Sequence, residues 1–461
     1  MLKYLVVFLV TTIELVAQGS IYYVAETGLN TNTGTQMAPW RTIQHAADEM
    51  QPGDEVRVLD GNFAGFETVT SGLPGLPIRF VAWGNDVVID SGENSRGDLI
   101  NIEGTDYIVI EGFKITSAGR AGIAVLGTSS NHVRFVSILN CNSFDNFRWG
   151  IFTGYAEDIL IEGNTCSGSS DEHGIYVSNS ADRPIIRGNI VFDNASSGIQ
   201  INADPVLPGD GIISEAEISG NIIHNNGASG GGSINLASVR NSDIFNNLIY
   251  DNLNTGIALW DDGFDPAFGC QNNRIVHNTV LMATGGRWAC GLVNGSINNE
   301  IRDNILLHLG SRGGLEIDAS SLPGLVCDYN VIHRISDRDE WILLPEWQNR
   351  GFGLNSVDAL PDVLFEDWMI DQFELISTSP ARDAGIEVGV SVDLNHHARP
   401  VGSAPDTGCY EYGSSISTCG TDLFAYFPLW LGESNPPDVL DTNANGWIEI
   451  SDIVSMVNCL E

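Results

Sequence analysis

Within residues 120–202, eight polar residues fall at repeating offsets from a series of glycines, and their types suit proton transfer beside an anion. Arg120, Arg148 and Glu172 each stand two residues before a glycine (Gly122, Gly150 and Gly174). Asp171 and His173 flank Glu172, Tyr176 follows Gly174 by two residues, and Gln200 and Asn202 follow Gly198. An imidazole is basic enough near neutrality to take a proton, a phenol can return one to a leaving oxygen, and a guanidinium pairs bidentately with a carboxylate. His173, Tyr176 and Arg148 are therefore the candidate catalytic set. Arg120, Glu172, Gln200, Asn202 and Asp204 are the candidate substrate contacts. The bland alternative for His173 is a hydrogen-bonded turn histidine. The carboxylates Asp171, Glu172 and Asp204 allow a second chemistry, acid and base on either side of a glycosidic bond.

The same glycines reveal the elements that must position these side chains. A Gly-Ile step followed by alternation recurs as Gly122-Ile123, Gly150-Ile151, Gly174-Ile175, Gly198-Ile199 and Gly256-Ile257, and a variant reads Ser233-Ile234. Gly291-Leu292 and Gly314-Leu315 continue the series. Beside it runs an asparagine column at Asn164, Asn189, Asn221, Asn247, Asn278, Asn304 and Asn330, with intervals of 25, 32, 26, 31, 26 and 26 residues. Such a period means stacked supersecondary units. Each unit has room for two or three short strands and none for a helix, so the repeat is one coil of a parallel β-helix. Strand alternation then points Ile175, Ile199 and Ile257 inward. It points Ala124, Phe152, Tyr176, Gln200, Asn235, Ala258, Val293 and Glu316 outward. The asparagine column is expected to satisfy itself through amide ladders at the turns, and His224 and His333 are expected to be turn filler.

Formal charge is −38, from 21 basic and 59 acidic residues, which excludes nucleic acid and anionic membrane as natural partners. Lys3 and Lys114 are the only lysines. Lys3, the apolar run of residues 5–10 and the small residues of Ala17-Gln18-Gly19 read as a signal peptide over residues 1–20, with secretion or cell-surface attachment to follow. No later apolar run is long enough to span a membrane. Secretion permits disulfides among the eight cysteines. Cys141 and Cys166 are expected one strand spacing apart, as a disulfide or as stacked thiols, and Cys419 with Cys459 could close the tail.

Residues 21–63 open with the strand Ile21-Tyr22-Tyr23-Val24, followed by Pro39-Trp40-Arg41-Thr42. Thr42 is placed to cap a helix whose Ile43, Ala46, Ala47 and Met50 form one apolar stripe. A solenoid needs its open end covered, and this helix suits that role. The segment resembles the start of secreted right-handed parallel β-helix proteins, the pectate-lyase-like and related carbohydrate-active group. The closing stretches of residues 379–385, Arg399-Pro400 and residues 406–411 resemble that group too. The resemblance spans residues 21–413. It implies an all-β, right-handed parallel β-helix with an N-terminal capping helix, and a polysaccharide as substrate, without choosing the reaction.

Residues 414–461 differ in composition. Asp441, Asn443, Asn445, Glu449 and Asp452 stand at positions 1, 3, 5, 9 and 12 of an EF-hand-type loop with Gly446 at its turn, a calcium site. The loop resembles that of dockerin modules, which implies a scaffold or cell-surface partner for the tail, although dockerins carry two such loops and this tail carries one. Asp261, Asp262 and Asp265 form a further acidic cluster, a second candidate for calcium.

For the reaction, β-elimination on a uronate-containing polysaccharide uses a base, an acid and a partner for the sugar carboxylate, and the candidate set supplies each. Related calcium-dependent lyases often use Lys or Arg as base, and Lys114 is the only lysine left after the signal segment. Glycoside hydrolysis or uronate epimerisation on the same fold is the alternative, followed by a non-catalytic binding or adhesin solenoid.

Overall fold

The computed structural model describes residues 19–262, 265–338 and 340–413. Residues 1–18, most of the segment expected to be a signal peptide, lie outside the described residues. So does the tail, with Cys419, Cys459 and Asp441, Asn443, Asn445, Glu449 and Asp452, the residues expected to form a calcium loop.

The period becomes a right-handed parallel β-helix. Successive strands are dealt in turn to three long sheets of 12, 12 and 11 strands. One sheet runs from Ile21–Val24 to Val326–Asp328, a second from Phe66–Glu67 through Arg334–Asp337, and the third from Gly61–Ala64 to Val331–Ile332. The second sheet carries the Gly-Ile steps. Its inward column reads Ile100, Ile123, Ile151, Ile175, Ile199, Ile234, Ile257, Cys290, Leu315 and Ile335, each directly opposite the next. All ten are buried. Ile175, Ile199 and Ile257 thus stack in register as the alternation requires.

Helix Ile43–Glu49 covers the first coil, with Ile43, Ala46 and Ala47 buried and the Thr42 hydroxyl accepting from the His45 amide. Asn164, Asn189, Asn221, Asn247, Asn278, Asn304 and Asn330 form the expected ladder. Each side-chain oxygen beyond Asn164 accepts both the backbone N–H and the amide group of the asparagine one coil earlier, at 2.9–3.1 Å. A parallel ladder, not anticipated, runs through Asn194, Asn226 and Asn252. His224 stacks between Phe192 and Tyr250 at 5.0 Å from each, and His333 meets Asp358 at 2.8 Å. Both serve turns. The closing motif packs through Arg399, which is buried and pairs with Glu411 at 3.1 Å, while the amide of Cys409 donates to Thr279 at 3.0 Å.

Two expectations need correction. Cys166 lies opposite Ser143 rather than Cys141. Cys141 instead occupies the rung before Asn164, to whose side-chain oxygen it donates its amide at 2.9 Å. Their distances to the following glycine are unequal, and that one-residue difference sends the two sulfurs to different positions. Both are free thiols, as are Cys270, Cys290, Cys327 and Cys409, all buried. The second correction is to the outward column, where Gly291 and not Val293 stands between Ala258 and Glu316. The strand begins at Cys290, so Ala289 takes the place usually held by glycine.

Burial raises each of these thiols, Cys141 and Cys327 to about 12. A thiolate is the reactive form. Native protein exposed to a thiol reagent at pH 8 should therefore leave these six unlabelled until denaturant is added, as read by peptide mapping. Rapid labelling of Cys166 in the native state would contradict the packing.

Candidate functional site

Outward positions of the second sheet form one continuous strip. It reads Asn101, Ala124, Phe152, Tyr176, Gln200, Asn235, Ala258, Gly291, Glu316 and Ser336, coil by coil. Neighbours are about 4.8 Å apart, and rigid strands hold them there.

Toward the N-terminal end, aromatics dominate. Trp149 stacks on Phe152 with centroids 4.2 Å apart, and Tyr176 lies 5.4 Å from Phe152 and 5.1 Å from His173. The predicted set of Arg148, Glu172, His173 and Tyr176 is brought together here, and the arginine of the preceding coil, Arg120, lies over Phe152 at 5.4 Å. Their partners, though, are mostly one another. Arg120 grips the buried Asp98 carboxylate through two hydrogen bonds of 2.7 and 2.5 Å. Arg148 pairs with Glu172 and lies 3.4 Å from Asp171. The other Glu172 oxygen accepts the Trp149 indole N–H at 2.7 Å. Both guanidiniums are thereby neutralised by the chain's own acids.

His173 is wired as a brace. Its Nδ1 accepts the backbone N–H of Ser197 at 3.1 Å, which fixes the tautomer with hydrogen on Nε2 and leaves no lone pair for the base role. Burial, then the Arg148 charge, pushes its pKa down to about 4. Burial and the charges of Glu172, Asp204 and Asp262 push Tyr176 up to about 12, so its phenol keeps its proton. A histidine depressed in the folded state binds no proton between its folded and unfolded values, so its contribution to stability is present above pH 6.5 and is lost as pH falls toward 4. The C2–H resonance of His173 should accordingly titrate near pH 4, and a midpoint above 6 would contradict this burial.

Further along the strip a hydrogen-bonded chain links three coils. Ser197 and Asn235 donate to the Gln200 side-chain oxygen at 3.1 and 2.7 Å, and the Trp260 indole donates to Asn235 at 3.0 Å. Asn202 donates to Asp262 at 2.9 Å and accepts the backbone N–H of Asp204 at 2.9 Å, which joins two turns remote in sequence. Asp265 is not in that group, because its carboxylate caps the turn at Pro266–Phe268.

Beyond Asn235 the side chains shrink to Ala258 and Gly291, and the strip opens into a pocket of about 210 Å³. Asn235, Trp260, Arg287 and Glu316 are among its walls. Next to Trp260 stands Asp261, fully buried, with neither carboxylate oxygen engaged in a hydrogen bond. A buried carboxylate without a partner is costly, so this position suits a cation. No three His, Cys, Asp or Glu side chains gather into a metal site among the described residues. The sequence reading missed Arg287, which rides on the connection preceding Cys290–Leu292, and it had Glu316 only as a member of the outward column. The fall in side-chain size at Ala258 and Gly291 was the available signal.

A model of the right-handed β-helix region matches residues 86–207. The chain carries that architecture. Among curated proteins it is similar to the uncharacterized protein YwoF of Bacillus subtilis (strain 168), at 25% identity over 445 residues, 79% of this chain and 92% of that one. Among solved structures it is similar to pectate lyase Pel9A, with 16% identity and a TM-score of 0.58 over 86% of this chain and 97% of that chain. It is also similar to a glycoside hydrolase, with 11% identity and a TM-score of 0.53 over 69% of this chain and 95% of that one. At such identities the likeness is one of fold. Among the described residues no helix is long and apolar enough to cross a membrane.

Proposed function

We propose that this is a secreted polysaccharide-active protein that receives a uronate-containing chain along the strip and cleaves it by β-elimination in the pocket between Trp260, Arg287 and Glu316. The observation that carries the reading is Asp261, which follows the pocket residue Trp260 in sequence and is buried with both carboxylate oxygens unengaged. Because Arg120 and Arg148 already face carboxylates, an acidic sugar needs positive charge from elsewhere. Arg287 is the chain's own source in the pocket. Asp261 and Asp262 would hold calcium, which would supply further positive charge opposite the sugar carboxylate. Calcium takes about six to eight oxygen ligands, so two carboxylates leave positions to be filled.

In this reading Ala258 and Gly291 make room for the ring, and Trp260, fixed by its bond to Asn235, forms one wall. Glu316 accepts the proton from C5 of the uronate. The C5–H electron pair becomes the C4–C5 double bond, the C4–O bond breaks, and the leaving oxygen takes a proton from solvent. His173, Tyr176 and the paired arginines bind and shape the strip rather than act on the bond. The neighbouring folds include both a pectate lyase and a glycoside hydrolase, which agrees with a glycan substrate for this sheet face. The EF-hand-type loop around Asp441 would add a separate calcium and anchor the protein to a partner.

The test is incubation with polygalacturonate and alginate, with and without calcium. Ultraviolet absorbance from an unsaturated sugar supports elimination, and Glu316→Gln should lower its rate by about 10²- to 10⁴-fold, the usual cost of losing a general base. New reducing ends without that absorbance would replace elimination by hydrolysis. Retention on a polysaccharide gel with neither product would leave a binding solenoid.

A further inference from the structure

Past Ser336 the sheet gains a strand that does not belong to the repeat. Glu340–Leu343 turns back and pairs antiparallel with Arg334–Asp337, placing Trp341 directly opposite Ser336. Directly opposed residues of an antiparallel pair share a face, so Trp341 extends the strip that runs from Phe152 through Gly291, Glu316 and Ser336.

Its surroundings fix the ring while leaving it open. Trp288, itself buried, meets Trp341 edge-on at 5.3 Å, and the Arg334 guanidinium lies 5.9 Å from the ring centre. Yet 55% of Trp341 remains exposed, whereas its strand neighbour Ile342 is buried against the core. The segment that carries Trp288 under Trp341 also carries Arg287 into the pocket. Pocket and ring are thus held by one connection. A large, immobilised and exposed aromatic face offers apolar area and a negative quadrupole, which suits the C–H face of a pyranose.

From the pocket floor at Gly291, Trp341 is three strand steps away, roughly 14 Å at the usual strand spacing. Tyr176 is four steps the other way, roughly 19 Å. One strand step is close to the advance of one linked pyranose. We propose that Trp341 is a distal saccharide platform that binds a ring of the same polysaccharide about three units from the pocket, so that the protein favours long chains over short ones. The inference rests on the reading of the strip as a glycan groove.

The experiment compares galacturonate trimer and octamer, by turnover and by binding to calcium-loaded protein, for the parent, Trp341→Ala and Trp341→Phe. Truncating a stacked tryptophan commonly costs about tenfold in affinity. Trp341→Ala should therefore raise KM or Kd for the octamer roughly tenfold, with a much smaller effect on the trimer, and Trp341→Phe should restore most of the difference. No loss with the octamer, or an equal loss at both lengths, overturns the platform while leaving the groove intact. Parent protein that neither binds nor cleaves either oligomer, polygalacturonate or alginate overturns the groove and the platform together.

Discussion

Asn221→Ala is expected to lower the stability of the β-helix by about 3 kcal/mol, the cost of leaving buried polar groups unpaired. Asn221 stands mid-ladder. Its side-chain oxygen accepts the Asn189 backbone N–H and amide at 3.0 Å each, and its own amide donates to Ile186 and Asn247 at 2.9 Å each. Alanine keeps the backbone bond to Asn247 but strips the buried Asn189 N–H of its only side-chain acceptor. Because coils contact only their neighbours, the damage should concentrate there and separate the coils on either side. Urea denaturation should show an earlier, broader transition, and limited proteolysis should cut between residues 189 and 221. A variant within 0.5 kcal/mol of the parent, the ordinary surface range, would mean that the ladder is ornamental.

Asp261→Ala is expected to remove the response to calcium and to lower turnover by about 10²- to 10³-fold, the scale of losing one preorganised electrostatic partner. Its effect on stability should have the opposite sign to that of Asn221→Ala. In calcium-free buffer the variant should be more stable than the parent by about 1–3 kcal/mol, because a buried carboxylate with no partner is removed. In calcium the parent should gain on the variant, since a ligand that binds only the folded state stabilises it. Thermal melts of both proteins with calcium and with chelator read all four values. A variant less stable than the parent in chelator would show that Asp261 braces the fold and holds no cation.

The placement of Asp303 shows how burial enters such comparisons. It is fully buried beside His277, and burial raises its carboxyl to about 7. A carboxyl raised in the folded state binds more protons folded than unfolded, so it costs stability progressively as pH rises from about 4 to about 7. Asp303→Asn should flatten the fall in melting temperature across that window.

Composition and period alone determined the coil. Inward isoleucines must meet a neighbouring coil to leave water, and buried asparagines at a turn must pair with their own kind, so both columns could be read from spacing. The capping helix was legible for the same local reason, through Thr42 and its apolar stripe. Tertiary structure alone decided what the outward residues do. Arg120, Arg148 and His173 look available in sequence, but Asp98, Glu172 and the Ser197 amide occupy them across coils. The pocket depends on connections of unequal length, which put Ala289 where a glycine usually precedes the strand and bring Arg287 to the same pocket as Ala258 and Gly291. Trp341 reaches the strip only because its strand reverses direction, and no period announces a reversal. A repeat fixes the residues that face neighbouring coils, since each needs the same partner every turn. The residues that face solvent answer to loops, which break the period.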